Sequence, residues 1–290
     1  MSVIYPRMAV VGCGLIGSSV IRAAREAGVV GHVFVADASE AHRARIVELG
    51  YADHVTGDIG EAVKDADLVV LAVPVLAMGE AAQAAAAFLK PGATVTDVGS
   101  VKGSVAEAMA KVLPGDVFVI PGHPIAGTEH SGPEAGLAEL FQNRWVILTP
   151  QPRGDAPYVE ATGRLAEFWR ALGANVEQMD VRHHDLVLAV TSHLPHLIAY
   201  NIVGTAADME EVTQAEVMKY SAGGFRDFTR IAASDPTMWR DVFVANREAV
   251  LEILGRFTED LQALSRAIRR SIVALGQDDA RPNFGRQDNE

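Results

Sequence analysis

The stretch Val10–Ser19, VVGCGLIGSS, sets Gly12, Gly14 and Gly17 in a G-x-G-x-x-G pattern, after a short apolar run and at the head of a helix-compatible segment. In that setting the first glycine permits a tight turn and the second lets a pyrophosphate approach the backbone. The third lets the helix lie close to the strand. Backbone N–H groups at the helix start, those of Leu15, Ile16 and Gly17, would face the phosphates with the helix dipole behind them. Taken alone the pattern also describes a plain strand-to-helix turn. The added signal is Asp37, which ends the next apolar run twenty residues after Gly17. A carboxylate there accepts hydrogen bonds from adenosine ribose hydroxyls and repels a 2′-phosphate, and the following residue, Ala38, brings no cation. NAD is therefore expected in preference to NADP.

Outward from this loop, short apolar runs alternate with longer amphipathic stretches, as in a parallel sheet with crossover helices. Strands are expected at Met8–Val11, His32–Ala36, Leu68–Val73, Thr94–Val98, Val117–Ile120 and Trp145–Leu148. The run LAVPV, with Val73 and Pro74, closes one strand where the order of the sheet would reverse, the usual ligand crevice; for Pro74 taken singly, a simple strand terminator is the preferred reading. Gln151–Pro157, QPRGDAP, reads as a linker. It divides residues 1–150, a dinucleotide-binding α/β domain, from residues 151–276, a helical domain; 277–290 is polar and expected to be disordered. In the helical part Ser234, Asp235 and Pro236 cap a helix expected to run unbroken to about Leu275. Along it Val250, Leu254, Phe257, Leu261, Leu264 and Ile268 recur at spacings of four and three. Such a seam could face a core, but a long helix buries it more easily against a second copy, so a homodimer is expected.

Composition narrows the function. The 290 residues include 49% hydrophobic ones, and the net charge is −12 with no basic run among the 25 Lys and Arg, which argues against nucleic acid. The one cysteine, Cys13, lies in the glycine loop with no partner for a disulfide or zinc site. It reads as a small filler in a reducing compartment. MSVIYPRM is too short and polar for a signal peptide, and no stretch reaches the ~18 uninterrupted apolar residues of a membrane span. A cytoplasmic protein without a metal and without a membrane partner is the expectation, acting on a small molecule.

Ser100 in DVGSVKG and His123 in GHPIAGTEHSG follow consecutive strand ends, on the side where the nicotinamide would lie. A neutral histidine can take the proton of an alcohol as hydride leaves the same carbon, although a lone histidine is more often simply packed. In HHDLVLAVTSHLPHLIAY, Asp185, Ser192 and His196 fall within about 40° on a regular helix, with His193 about 80° from Asp185. Pro195 frees the carbonyl of Thr191 and is expected to kink the axis. In SAGGFRDFTRIA, Arg226 and Arg230 are four apart and could clamp a carboxylate.

With these residues in view, the chain resembles the prephenate and arogenate dehydrogenases of tyrosine biosynthesis. The likeness rests on GCGLIG, DVGSVKG, GHPIAGTEHSG, the HHD and TSHLPH segments, and GGFRDFTRIA followed by Trp239. It implies a Rossmann domain joined to an all-α dimerisation domain, and NAD-dependent oxidative decarboxylation of prephenate or arogenate. It further implies that His123 is the base, oriented by Ser100, and that Arg230 binds a substrate carboxylate. Thr128, Ser192 and His196 would line the pocket, and His184 and Asp185 would form a gate; Arg226 and His193 receive no role. His196, with no acid beside it, leans toward the keto acid prephenate. The competing readings are a β-hydroxyacid or pyrroline-carboxylate dehydrogenase of similar layout, and an NAD-binding dimer without catalysis.

Overall fold

The computed structural model describes residues 2–128, 130–213 and 223–269. Six parallel strands form the main sheet: β1 (Tyr5–Val11), β2 (Val30–Ala36), β3 (His54–Thr56), β4 (Leu68–Leu71), β5 (Thr94–Asp97) and β6 (Phe118–Val119). Their order is β3-β2-β1-β4-β5-β6, the doubly wound arrangement with its switch point between β1 and β4. The crossovers are α1 (Leu15–Glu26), α2 (Glu40–Leu49), α3 (Ile59–Val63), α4 (Met78–Ala86) and α5 (Gly103–Val112). Strands covered on both faces need apolar runs rather than alternation, and β4 is buried at all four residues.

A second, three-stranded sheet joins β7 (Gly122–Pro124), β8 (Trp145–Leu148) and β9 (Asn175–Gln178), antiparallel then parallel, with α6 (Ala156–Ala171) between β8 and β9. The boundary read at residue 150 therefore does not end this layer. Asp155 caps α6 by accepting from the Tyr158 N–H, and Tyr158, Leu165, Phe168 and Trp169 join the core cluster that holds Tyr5, Met8 and Val10. β3, β7 and β9 escaped the sequence reading because HVT, GHP and NVEQ are short and lack an apolar period; pairing with a neighbour makes each a strand.

The helical part comprises α7 (Val181–Leu188), a π-turn at Ala189–His193, α8 (Leu194–Thr213), α9 (Gly223–Thr229), a 3₁₀ turn at Arg230–Ala233, α10 (Pro236–Ala245) and α11 (Arg247–Arg269). Asp235 caps α10 as expected, accepting from Thr237 N at 2.8 Å. The expected unbroken helix is, however, interrupted at Asn246, whose backbone leaves helical geometry at φ −106° and ψ 32°. Val181–Met209 is long and apolar enough, at a mean hydropathy of 1.4, to cross a bilayer by length and composition. It nevertheless carries the buried polar side chains His184, Asp185 and His193, the signature of a core helix. The chain divides into a unit of residues 1–250 and a second from Leu251 onward. In the second, α11 exposes Leu261, Leu264 and Ile268 of the seam. Ser221, the helix end expected near Leu275 and the tail from 277 lie outside the described residues.

Candidate active site

The glycine loop has the conformation its sequence implies. Gly12 adopts φ +86°, and a Cβ there would meet Ala72 O at 2.6 Å and Val73 Cγ1 at 3.0 Å, so only glycine is accommodated. A Cβ at Gly17 would collide with Gly12 O. At Gly14, by contrast, a Cβ meets nothing within 4 Å, and this residue N-caps α1 with no side-chain acceptor. Open space above an uncapped helix start is what a pyrophosphate requires. Leu15, Ile16 and Gly17 open that helix, Val73 packs beside the loop, and Pro74 begins the 3₁₀ turn after β4.

Asp37 accepts from Cys13 N at 2.9 Å and from Ser39 N at 2.9 Å, so its carboxylate is fixed against the loop. Although Ala38 brings no cation, folding does: Arg43 Nη1 donates to the carbonyls of Asp37 and Ala38, each at 2.9 Å. Cys13 is buried, its thiol pushed up to about 12 by burial, which suits the filler reading and no redox role.

Between β7 and α7, beyond the carboxyl end of β5, side chains form a buried chain of hydrogen bonds. His123 Nδ1 lies 2.9 Å from His184 Nε2, and His184 Nδ1 lies 2.8 Å from Asp185 Oδ1. Asp185 also accepts from Lys102 N at 2.8 Å and Gly103 N at 2.7 Å, at the start of α5. Burial would raise its carboxyl, but the bonds from His184 and the two amides outweigh burial and hold it below the usual range. The partners assign the protons. An ionised Asp185 can only accept, so His184 carries a proton on Nδ1, and in its neutral form presents a bare Nε2. His123 donates to that nitrogen from Nδ1, leaving its own Nε2 as the basic atom. Burial, then the neighbouring His184, Lys102 and His193, lowers the His123 pKa well below its ordinary value, so the ring is neutral.

Beneath it Lys102, fully buried, pairs with Asp97 and donates to Gly122 O at 2.6 Å, pinning β7 against β5. Burial draws its ammonium below the ordinary lysine range, opposed by Asp97. Sequence reasoning missed Asp97, Lys102 and Asn246. The first two left a signal, an acid ending a buried strand with a lysine five residues on; Asn246 left none.

Several expectations are corrected. His184 and Asp185, expected as a paired gate, are buried at 0% and 8% exposure and stand behind His123 in this hydrogen-bonded chain. Ser100 makes no hydrogen bond to His123 among the described residues; the side chain bonded to His123 is that of His184. The π-turn alters the helical phase. One inserted residue sets the helix back by about 100°, which brings His193 to within about 20° of Asp185 and carries Ser192 and His196 to about 120° and 80° away. His193 accordingly sits buried beside Asp185, bonded through Asn246, while His196 stacks on Trp239 at 3.6 Å between ring centroids. The His196 pKa is lowered by burial, opposed by its bond to Ser192 O and assisted by the charge of Arg230. That places Arg230 electrostatically close to His196. Arg226 and Arg230 are exposed and have no ion pair among the described residues. Thr128 is exposed after β7, accepts from His130 N at 3.2 Å, and lines a cavity of about 370 Å³ with Glu139 and Arg144.

A dinucleotide cradle beside a buried neutral histidine defines a pyridine-nucleotide-dependent oxidoreductase built on a Rossmann sheet with a helical second part. The family models narrow this: the nucleotide-binding domain of prephenate dehydrogenase matches residues 20–178 and its dimerization domain matches 180–279. The chain belongs to the prephenate dehydrogenase family. It is 45% identical over 265 residues to the cyclohexadienyl dehydrogenase of Zymomonas mobilis, covering 91% of this chain and 89% of that one. A crystal structure of the Aquifex aeolicus prephenate dehydrogenase, in complex with hydroxyphenyl propionate and NAD+, is similar at a TM-score of 0.84 and 36% identity. That likeness covers 92% of this chain and 91% of the other. The competing hydroxyacid reading finds only a shared fold: a Mycobacterium tuberculosis 3-hydroxyisobutyrate dehydrogenase matches at TM-score 0.53 with 14% identity.

Proposed function

We propose that this protein oxidatively decarboxylates prephenate to 4-hydroxyphenylpyruvate, and accepts arogenate to give tyrosine, in tyrosine biosynthesis. NAD, held by Gly12, Gly14, Leu15, Ile16, Gly17, Asp37, Val73 and Pro74, supplies the hydride acceptor when bound. The observation that carries the reading is the His123–His184–Asp185 chain. Burial keeps His123 neutral, and the chain turns a lone pair on Nε2 toward the proton of the ring C4 hydroxyl. As that proton transfers, the imidazolium that forms is balanced through His184 by the Asp185 carboxylate. As hydride leaves C4 the carbonyl forms; the ring carboxylate then leaves as CO₂, its bonding electrons complete the aromatic ring and displace a pair onto the C4 oxygen, and that oxygen takes the proton back from His123.

Arg230 is assigned to a substrate carboxylate and Ser192, His196 and Thr128 to the surrounding pocket; Ser100 follows the carboxyl end of β5. The residues before about 180 would form the nucleotide-binding domain and those after it the helical domain, the division the two family matches support. The exposed apolar seam of α11 supports a homodimer. A cytoplasmic enzyme without nucleic-acid or membrane partners fits the acidic composition. Purified protein given NAD and either prephenate, arogenate or 3-hydroxyisobutyrate should form NADH and CO₂ with the first two only. NADH formation with the third alone, or with none, would reject the proposal.

A further inference from the structure

One residue between α10 and α11 leaves the helix. Asn246 is 5% exposed, and its carboxamide nitrogen, with two protons, has two acceptors: Asp185 O at 2.9 Å and His193 Nδ1 at 3.0 Å. Asp185 lies one turn before the π-turn and His193 is its last residue. A π-turn is an uncommon insertion in an α-helix, and Pro195, two residues on, contributes no N–H to steady it. Asn246 thus bridges the insertion from outside, joining its two sides.

The insertion governs the site because it sets which residues share the helix face of Asp185. Asp185 in turn fixes His184, and His184 fixes His123. Donation to His193 Nδ1 also settles the tautomer of that buried ring: the proton is on Nε2, which is itself buried without a partner.

We infer that Asn246 is a positioning residue of the reaction: by clamping Asp185 and His193 across the π-turn, it holds the register in which His184 meets His123. The role rests on His123 being the base. Asn246 acts only through Asp185 and His184.

Three single variants and the Asn246→Leu/His193→Leu double variant test it. Asn246→Leu keeps the volume and removes both donors. His193→Asn keeps an acceptor where Nδ1 stood, and His193→Leu removes it. In ¹⁵N-histidine spectra of the full chain, the wild type should show His123 and His184 protonated on Nδ1 and His193 on Nε2, with the first two mixed in Asn246→Leu. In NADH formation from prephenate, Asn246→Leu should lose about tenfold or more in kcat with NAD affinity unchanged. Its acid limb of kcat should move up by about half a unit, while Lys102, His184, Asp185 and His193, the groups facing His123, are all retained. His193→Asn should stay within about threefold of wild type, His193→Leu should match Asn246→Leu, and the double variant should be no worse than either. Wild-type kcat, pH profile and tautomers in Asn246→Leu overturn the inference, as does a lowered Tm with kcat and pH profile unchanged. If Asn246→Leu does not fold, equal behaviour of the two His193 variants overturns it. If the wild type oxidises neither acid, the proposed function falls, and the tautomer spectra still decide the clamp.

Discussion

Replacing Asp185 with Asn preserves the side chain's shape and removes its charge, which isolates the part of the site that orders protons. Three donors converge on this carboxylate: His184 Nδ1 at 2.8 Å, Lys102 N at 2.8 Å and Gly103 N at 2.7 Å. A carboxamide has one oxygen. Whichever way it turns, one buried N–H meets an NH₂, at a cost of about 1–3 kcal/mol. Against a typical stability of about 5–15 kcal/mol, the variant should remain folded, so its kinetics can be read. Turnover should suffer more. In one orientation the NH₂ faces His184 and reverses the tautomer along the chain, leaving His123 with its proton on Nε2 and no lone pair for the substrate. In either orientation the negative charge that balances the His123 imidazolium is gone. General-base assistance is worth about 10²–10⁴, and the same exchange in a Ser–His–Asp triad costs about 10⁴. The expected loss in kcat is therefore about 10²–10⁴, or about 2.7–5.4 kcal/mol of barrier. Initial rates of NADH formation with saturating prephenate, alongside NAD binding by fluorescence, separate the effects. A wild-type kcat, or a loss confined to the Michaelis constant, would refute the proton assignment.

His123→Asn should lower kcat by about a hundredfold or more with NAD affinity nearly unchanged, because the glycine loop is untouched; near-normal turnover would remove this histidine from the chemistry. Arg230→Ala should delete the proposed charge-assisted bond to substrate, worth about 1.5–3 kcal/mol, so the Michaelis constant for prephenate should rise by about ten- to a hundredfold with kcat little altered; an unchanged constant rejects the clamp. Asp37→Ser should improve the ratio of NADP to NAD efficiency, since Arg43 already stands at the Asp37 and Ala38 carbonyls; a variant still exclusive to NAD means another group sets the choice. Stability should also fall in acid. Burial lowers His193 from 6.5 to about 4, so the unfolded chain takes up this proton first as pH drops. The contribution is intact above about 6.5 and shrinks toward about 4, by on the order of 3 kcal/mol. Urea melts at pH 7 and near pH 4 should show a smaller decrease in His193→Asn than in wild type; equal decreases dismiss this source.

The dinucleotide half of the site was legible because its constraints are local. The turn at Gly12, the close contact at Gly17 and the acid ending β2 are each dictated by residues within about one βαβ unit, and the spacing records them. The cap at Asp235 was legible for the same reason. The strands β3, β7 and β9 were not, since HVT, GHP and NVEQ carry no period of their own.

The amino-acid order alone determined that the chain from Met8 to about Val119 folds around a nucleotide-binding parallel sheet, and it singled out His123, just past the last of those strands, as the expected base. It could not determine what holds that histidine. On a regular helix Ser192 and His196 should share a face with Asp185, and only the π-turn, fastened by Asn246 from 61 residues away, exchanges them for His193. A helical period is a rule about neighbours, and an inserted residue held by a distant carboxamide changes the phase without leaving a mark in the local pattern. The His123–His184 bond likewise spans 61 residues; its proton order follows from Asp185 meeting two backbone amides, and backbone donors become visible only when the chain has folded.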